Sequence, residues 1–188
     1  MENSHFVIAV VGLPGSGKTE VTRYLEAKGL PNVYFGGIVL DEVRRRGLPL
    51  TQEYERPVRE ELRAKYGMGA VAILGLPKIR EYFQSSSVLI ESHYSWEEYL
   101  VLREEFGQQF RVIAVSAAPK TRYSRLADRP ERPLTAEEAW DRDKSQIEHL
   151  HQAGPIAMAD HTLINEGTLV ELQNQAERAY QTIIGQGP

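Results

Sequence analysis

One octapeptide, residues 12–19, constrains this chain more than any other segment. It reads GLPGSGKT, follows a short apolar run at residues 6–11 and precedes an amphipathic stretch. A strand, a loop of the pattern G-x-x-x-x-G-K-[ST] and a helix, in this order, predict a phosphate-binding loop. Its glycines let backbone amides face phosphate oxygens, Lys18 brings charge to the β- and γ-phosphates, and Thr19 can ligate Mg²⁺. The expected ligands are therefore ATP and Mg²⁺. The residues predicted to bind the nucleotide are Gly12, Leu13, Pro14, Gly15, Ser16, Gly17, Lys18, Thr19 and Glu20.

Composition bounds the rest of the molecule. The 188 residues suit one domain, because domains cluster near about 100–150 residues. The chain has no cysteine, which excludes disulfides, thiolate metal sites and cysteine nucleophiles. Its net charge is 22 − 26 = −4, which disfavours a nucleic-acid partner. The apolar run at residues 6–11 is far shorter than the roughly 20 residues of a membrane span. We expect a cytoplasmic protein without a membrane partner, in an oligomeric state that the sequence does not indicate.

Short apolar runs alternate along the chain with longer amphipathic stretches, which predicts strands and helices around a mainly parallel sheet. Three helix starts carry Ser or Thr followed three residues later by Glu, the capping-box pattern. These pairs are Ser95 with Glu98, Thr135 with Glu138, and Thr168 with Glu171. The last helix is expected to turn Leu169, Leu172, Ala176, Ala179 and Ile183 toward the sheet. The predicted strands are residues 6–11, 33–35, 88–90, 112–115 and 161–164. The predicted fold is a three-layer α/β P-loop NTPase fold with a five-stranded, mainly parallel sheet, formed by residues 1–188 as one domain.

Residues 40–84 carry no strand signal and predict helices and turns beside the sheet. The predicted breaks are Gly47, Pro49, Pro57, Gly67, Gly75 and Pro77. The segment is rich in arginine, which recognises phosphate oxygens through two parallel N–H donors. We therefore interpret it as an insertion that binds the phosphate of an acceptor. The candidate substrate-binding residues are Arg44, Arg46, Arg59 and Arg63; a solvated helix in which they pair with Glu42, Glu60 and Glu61 is the alternative.

Residues 120–134, called the lid segment below, form a locally basic stretch. Five Lys or Arg residues stand against Asp128 and Glu131, a charge of 5 − 2 = +3, which leaves −7 for the remainder of the chain. The spacing of Arg122, Arg125 and Arg129 places them on one helix face. Such a segment can close over a triphosphate and stabilise the transferring phosphoryl group, so these three arginines are candidate catalytic residues.

Two carboxylates are alternative candidates for an acidic residue that works with the phosphate loop, through Mg²⁺ or through the acceptor. Glu91 ends the apolar run at residues 88–90, where a P-loop enzyme holds an acid linked to Mg²⁺. Asp41 follows the second strand and could instead activate the acceptor or hold the metal through water. Tyr94 and Trp96 lie close by in sequence and could stack on a base or belong to the core.

The phosphate loop, the basic lid segment and the tail together resemble the nucleoside monophosphate kinase and dephospho-CoA kinase group of small P-loop kinases. The tail is similar to dephospho-CoA kinases through Ala159-Asp160, Ile164-Asn165 and Gly167, and so is the spacing of Arg142 and Gln146. The closest resemblance is to an uncharacterised dephospho-CoA-kinase-like branch common in archaea. It is carried by GLPGSGKT, Arg46-Gly47-Leu48, Leu62-Arg63, Tyr66-Gly67, Ala70-Val71-Ala72 and Arg142-Asp143.

This resemblance implies a kinase core with an acceptor insertion and an arginine lid, and it implies that Asn165, Glu166 and Gly167 lie beside the adenine. The chain departs from the group at two places. It has Gly36-Gly37 where those kinases carry an aspartate near the acceptor, and Glu91-Ser92 where they carry Asp-Gly.

The hypothesis is ATP- and Mg²⁺-dependent phosphoryl transfer to a nucleotide-like small molecule. In this reading Lys18 and the lid arginines stabilise the transition state, Thr19 and Glu91 hold the metal, and Asp41 or Glu91 orients the acceptor. Dephospho-CoA is the alternative acceptor. A P-loop switch that hydrolyses ATP and acts on a protein partner is the alternative class, and a nucleic-acid-end kinase is disfavoured by the net charge.

Overall fold

A computed structural model describes residues 5–91 and 95–185. In it five strands form one sheet: β1 Val7–Val11, β2 Asn32–Tyr34, β3 Val88–Glu91, β4 Phe110–Ser116 and β5 His161–Ile164. The strand order is β2-β3-β1-β4-β5, and each neighbouring pair is parallel. All five predicted strands are confirmed to within one or two residues at each end. The second ends earlier than predicted, because Phe35 already begins a helix.

The helices are α1 Lys18–Glu26, α2 Phe35–Arg45, α3 Gln52–Tyr66, α4 Ala70–Phe83, α5 Trp96–Phe106, α6 Pro119–Ala127, α7 Ala136–Glu148, α8 Ala153–Ala157 and α9 Leu169–Gly185. The predicted capping boxes at Ser95 and Thr135 are formed in both directions. Thr168 and Glu171 make the same reciprocal bonds before α9. None of the helices in the described ranges is both long and apolar enough to cross a membrane.

The sheet is buried on both faces, as a parallel sheet between helices must be. Val7, Ala9 and Val11 of β1 point into a core that α2, α3, α4 and α5 cover. The alternate residues Ile8 and Val10 point into a second core under α1 and α9. These helix, sheet and helix layers confirm the three-layer α/β fold. In α9 the buried stripe is Leu172, Ala176, Ala179 and Ile183, whereas Leu169 is 49% exposed, so its predicted place in the stripe is wrong.

Residues 40–84 are helical and strandless, as predicted, but three of the predicted breaks are not breaks. Pro57 lies inside α3, and Gly75 and Pro77 lie inside α4. Packing of α2, α3 and α4 on one another and on the sheet outweighs the local preference of one residue. Gly75 fits closely into this packing, because a Cβ there would lie 2.9 Å from the terminal methyl group of Ile38, which would have to move.

The helix in the lid segment is also shorter than its sequence pattern predicts. Helix α6 ends at Ala127, so Arg129 does not share a helix face with Arg122 and Arg125. Pro130 and Pro133 prevent the helix from continuing, and residues 128–135 connect α6 to α7 through a turn in which Arg132 has φ +53°.

The parallel strands bring five chain segments to one edge of the sheet. The phosphate loop follows β1, Phe35 follows β2, Glu91 ends β3, α6 follows β4, and Asn165 follows β5. Because ligands of parallel α/β sheets bind outside the carboxyl ends of the strands, we expect the functional site at this edge.

Candidate functional site

The phosphate loop has the backbone of an anion cradle. Gly12, Gly15 and Gly17 all have φ between +77° and +151°, a range that favours glycine. Gly15 is also confined by its surroundings, since a Cβ there would lie 2.6 Å from the Arg122 carbonyl oxygen. Lys18 opens α1, so the helix N-terminus points at the loop. The buried Ser16 hydroxyl has no hydrogen-bond partner among the described residues.

Side chains from three other segments brace this loop. The Asn165 amide donates to the Ser16 carbonyl at 2.8 Å, and Arg125 donates to the Asn165 carbonyl at 2.9 Å. Gln152, which is fully buried, donates to the Gly12 carbonyl at 3.3 Å. Asn165 and Arg125 therefore lie against the loop, and their polar groups are engaged with its backbone and with each other.

Of the two other predicted adenine residues, Glu166 holds the start of α6. Glu166 accepts hydrogen bonds from the Thr121 hydroxyl at 2.6 Å and from the Ala118 amide. These bonds keep the pKa of Glu166 below its usual range. Glu166 and Gly167 also line a shallow surface groove with Ile164 and Glu171.

Arg122 is engaged in a buried ion pair. Its guanidinium is 4% exposed and binds both carboxylate oxygens of Asp143 in α7, at 2.9 and 2.6 Å. It also donates to the carbonyls of Pro14 at 3.1 Å and Ala117 at 3.1 Å, while the Tyr123 hydroxyl donates to Asp143. Arg122 thus connects the phosphate loop, α6 and α7.

Lys18 is the cation at the centre of the site. Burial, followed by the charges of Arg129, Arg142 and Arg122, lowers its pKa to about 8, and the charge of Glu91 opposes this shift. Its ammonium has no salt bridge to any carboxylate of the described residues. Because Asp143 already neutralises Arg122, the ammonium of Lys18 and the guanidiniums of Arg129 and Arg142 remain against the single carboxylate of Glu91. This excess of positive charge is one that a polyphosphate would balance.

The candidate metal-binding residues are both close to Lys18: Thr19 follows it in the chain, and the charge of Glu91 acts on it. Thr19 is exposed at the start of α1, so its hydroxyl is accessible to an ion. Glu91 pairs in register with Val10 of β1 and accepts a hydrogen bond from Asn32 at 3.2 Å. A hydroxyl and a carboxylate are oxygen ligands of the kind that Mg²⁺ prefers, so the residues present fit this ion.

Other predicted residues lie away from this edge. The Asp41 carboxylate is 68% exposed and pairs with Arg44 at 2.6 Å on the outer side of α2. Glu20 pairs with Arg23 on the surface of α1. Trp96 stacks on Tyr99 and packs against the core, whereas Ser92 and Tyr94 lie outside the described residues.

A cavity of about 610 Å³, called the arginine cavity below, is lined mainly by residues of α2, α3 and α7, and its wall includes Arg142, whose charge acts on Lys18. Arg59 and Arg63 line it, but Arg44 and Arg46 do not. Arg46 instead pairs with Glu42 at 2.8 Å and Glu61 at 2.6 Å. The lining side chains are apolar at Phe35, Val39, Leu40, Val71 and Leu150, and polar at Glu55, Arg59, Arg63, Glu98, Arg132, Arg142, Ser145, Gln146 and His149.

Sequence reasoning missed one wall of this cavity. Arg142, Ser145 and Gln146 lie on one face of α7, at steps of three and one residues, and His149, which caps the end of the helix, follows three residues later. That spacing is the signal that could have identified them. Arg132 in the lid segment carries no comparable pattern.

The glycine pair at the other wall has a steric cause. Gly36 lines the cavity, and a Cβ there would collide with the ring of Tyr34. The Tyr34 ring lies against the backbone of Gly36 and Gly37, so a larger residue at position 36 would force it aside.

Several solved structures share this arrangement of elements. The structure superposes on TT1252 from Thermus thermophilus with a TM-score of 0.61 and 18% identity, over 95% of this chain and 97% of the other. It matches a gluconokinase from Sinorhizobium meliloti with a TM-score of 0.57 and 15% identity, over 98% of this chain and 99% of the other. A shikimate kinase from Bacteroides thetaiotaomicron matches with a TM-score of 0.57 and 13% identity, over 96% of this chain and 98% of the other. At these identities the likeness shows the fold, which is that of P-loop kinases.

Sequence relatives define the family. A UPF0200 protein of Pyrococcus horikoshii is 33% identical over 97% of this chain and 100% of its own length. A UPF0200 protein of Hyperthermus butylicus is 35% identical over the full length of both. A family model described as AAA domain, AAA_18, matches residues 8–151. The likeness to an archaeal branch of P-loop proteins is confirmed, whereas the narrower likeness to dephospho-CoA kinases stays a prediction. The chain belongs to the UPF0200 proteins and to the AAA-domain family AAA_18.

Proposed function

We propose that this protein binds ATP with Mg²⁺ and transfers the γ-phosphoryl group to a nucleotide-like small molecule held in the arginine cavity. One observation carries the proposal: Arg142 belongs to two sites at once. Its charge acts on Lys18 of the phosphate loop, and its side chain lines the cavity. A donor phosphate on the loop and an acceptor in the cavity would therefore meet at the same guanidinium, which is the arrangement that direct transfer needs.

In this proposal the residues have separate roles. Lys18, Arg129 and Arg142 stabilise charge on the transferring group. Thr19 and Glu91 would hold Mg²⁺, which when bound neutralises charge on the β- and γ-phosphates. Arg122 and Arg125 position the phosphate loop through its carbonyls and through Asn165. Asp41 has no role here, because its carboxylate faces solvent.

The charge of the cavity supports a phosphorylated acceptor. Four guanidiniums, those of Arg59, Arg63, Arg132 and Arg142, face two carboxylates, those of Glu55 and Glu98, which gives 4 − 2 = +2. A phosphate monoester carries a charge between about −1.5 and −2 at neutral pH, so it matches this excess better than a single carboxylate does. The apolar part of the lining, including Phe35, suits the ring of a nucleotide base.

A coupled assay of ADP formation tests the function. Nucleoside monophosphates, deoxynucleoside monophosphates and dephospho-CoA are each added to the protein with ATP and Mg²⁺, beside a reaction without acceptor. Stimulation by a monophosphate well above the acceptor-free rate supports the proposal, and stimulation by dephospho-CoA alone supports the alternative acceptor. ATP hydrolysis that no acceptor stimulates contradicts both and favours a P-loop switch.

Arg63 and Arg44 form a matched pair for testing the cavity. Burial lowers the pKa of Arg63, and its Nε has no hydrogen-bond partner among the described residues, whereas Arg44 is exposed and paired with Asp41. We expect Arg63→Ala to lower kcat/KM for the acceptor roughly 10- to 100-fold, as loss of a hydrogen bond to a charged group does. Arg44→Ala should change it less than about twofold. Equal effects of the two substitutions would contradict the placement of the acceptor.

Lys18 predicts a pH dependence of nucleotide binding. Its pKa of about 8 in the free protein should rise when a triphosphate binds, because an opposite charge favours the ammonium form. Binding then takes up a proton above pH 8, so ATP affinity should be constant from pH 7 to about 7.5 and fall by up to about tenfold per pH unit above pH 8. Calorimetric titration between pH 7 and 9.5 measures this fall. Lys18→Met should abolish the slope; a slope that persists in this variant assigns the titration to another group.

A further inference from the structure

Gln146 is a buried amide with an unused hydrogen-bonding atom. Its side chain lines the arginine cavity and the residue is only 8% exposed. The side-chain oxygen is buried and has no hydrogen-bond partner within residues 5–91 and 95–185. Buried acceptors in folded proteins are nearly always paired, so an orphaned one beside a cavity indicates a partner supplied by a ligand.

Helix α7 is held in place by contacts both before and after Gln146. Three residues earlier, Asp143 is locked by its two bonds to the buried Arg122. On the other side, the backbone N–H of Gln152 donates to the backbone carbonyl of Gln146 at 3.0 Å, and the Gln152 side-chain amide donates to the Gly12 carbonyl of the phosphate loop. Helix α7 therefore cannot rotate freely, and the Gln146 side chain stays at the wall of the cavity.

The cavity also contains an unpaired donor of complementary kind. The Nε of Arg63 is buried without a partner, on a different helix from Gln146. Arginine donors suit an anionic group, whereas an amide oxygen accepts only from N–H or O–H. A ligand that satisfies both atoms has an anionic group and, separately, a hydrogen-bond donor.

We propose that Gln146 determines acceptor specificity by accepting a hydrogen bond from an N–H group on the base of a nucleotide whose phosphate is bound by the cavity arginines. The inference rests on the proposed function, because it requires the acceptor to occupy this cavity. It adds the residue that distinguishes one base from another. Loss of the Gln146 amide should weaken the binding of the preferred nucleotide and leave the binding of a ligand without a base unchanged.

Equilibrium binding separates this role from the function itself. Calorimetry with AMP, GMP, CMP, UMP and ribose 5-phosphate is carried out on the wild type, Gln146→Leu, Gln146→Glu and the surface control Gln181→Leu, each checked for folding by thermal unfolding. We expect at least one monophosphate to bind the wild type at least tenfold more tightly than ribose 5-phosphate. Gln146→Leu should lower the affinity for that monophosphate about tenfold and change the affinity for ribose 5-phosphate less than twofold. Gln146→Glu, which keeps an acceptor oxygen, should retain most of the preference, and Gln181→Leu all of it.

Several results would overturn the assignment while sparing the proposed function. These are an unchanged order of base preference in Gln146→Leu, an equal loss for ribose 5-phosphate, equal losses in the Leu and Glu variants, or monophosphates that all bind no better than ribose 5-phosphate. If none of the five compounds binds, the nucleotide acceptor itself is refuted and the role of Gln146 with it.

Discussion

Replacing Lys18 by alanine is expected to lower the rate of phosphoryl transfer by about a thousandfold. The ammonium is preorganised at the phosphate loop, and removal of one such electrostatic contact typically costs a factor of about 10²–10³. Arg129 and Arg142 remain, but neither is held in the loop as Lys18 is. The rate is measured by ADP formation at saturating acceptor, and ATP binding by calorimetry on the same samples.

The fold of this variant should be intact. Burial and neighbouring guanidiniums disfavour the charged form of Lys18 in the folded state, so its removal relieves repulsion and the thermal midpoint should not fall. Lys78→Ala is the matched control, because that lysine is exposed on α4, where its ammonium lies 5.8 Å from the centre of the Tyr82 ring. A Lys18→Ala protein with wild-type turnover would show that the phosphate loop is not the catalytic centre.

The fold follows from features that are local in sequence. Each strand is a short apolar run, three helix starts carry their own capping residues, and the phosphate loop is one continuous motif. Local patterns of this kind depend on backbone preference and burial, which a single sequence expresses directly. The places where the pattern misled, such as Pro57 inside α3, are those where packing between helices overrode a local preference.

The site depends on contacts that no local pattern encodes. Arg46 and Arg63 look equivalent in sequence, yet Arg46 pairs with Glu42 and Glu61, whereas Arg63 is half-buried and lines the arginine cavity. Which of them faces the cavity depends on how α2 and α3 pack together. The basic charge and spacing of the lid segment likewise predict Arg122 to be a catalytic residue, because nothing in the sequence indicates that Asp143, 21 residues away, binds its guanidinium.

The Arg122–Asp143 pair provides the largest expected effect on stability. Both side chains are almost completely buried, at 4% and 6% exposure. Asp143→Ala would leave the Arg122 guanidinium without its carboxylate, and breaking a buried pair from one side costs about 3–5 kcal/mol of unfolding free energy. At about 2–4 °C per kcal/mol for a chain of this size, the thermal midpoint should fall by roughly 6–20 °C. Urea denaturation gives the free energy directly.

Two further variants separate charge from packing. Asp141→Ala alters an exposed carboxylate on the same helix and should cost less than about 0.5 kcal/mol. The double variant Arg122→Met/Asp143→Leu should recover part of the lost stability, because apolar residues can replace a buried ion pair. Recovery should be incomplete, since the carbonyls of Pro14 and Ala117 lose their donor. The double variant should also bind ATP more weakly, because Pro14 is in the phosphate loop. If Asp143→Ala costs less than about 1 kcal/mol, the pair does not connect the loop to α7, and the fixed orientation of the cavity wall must have another cause.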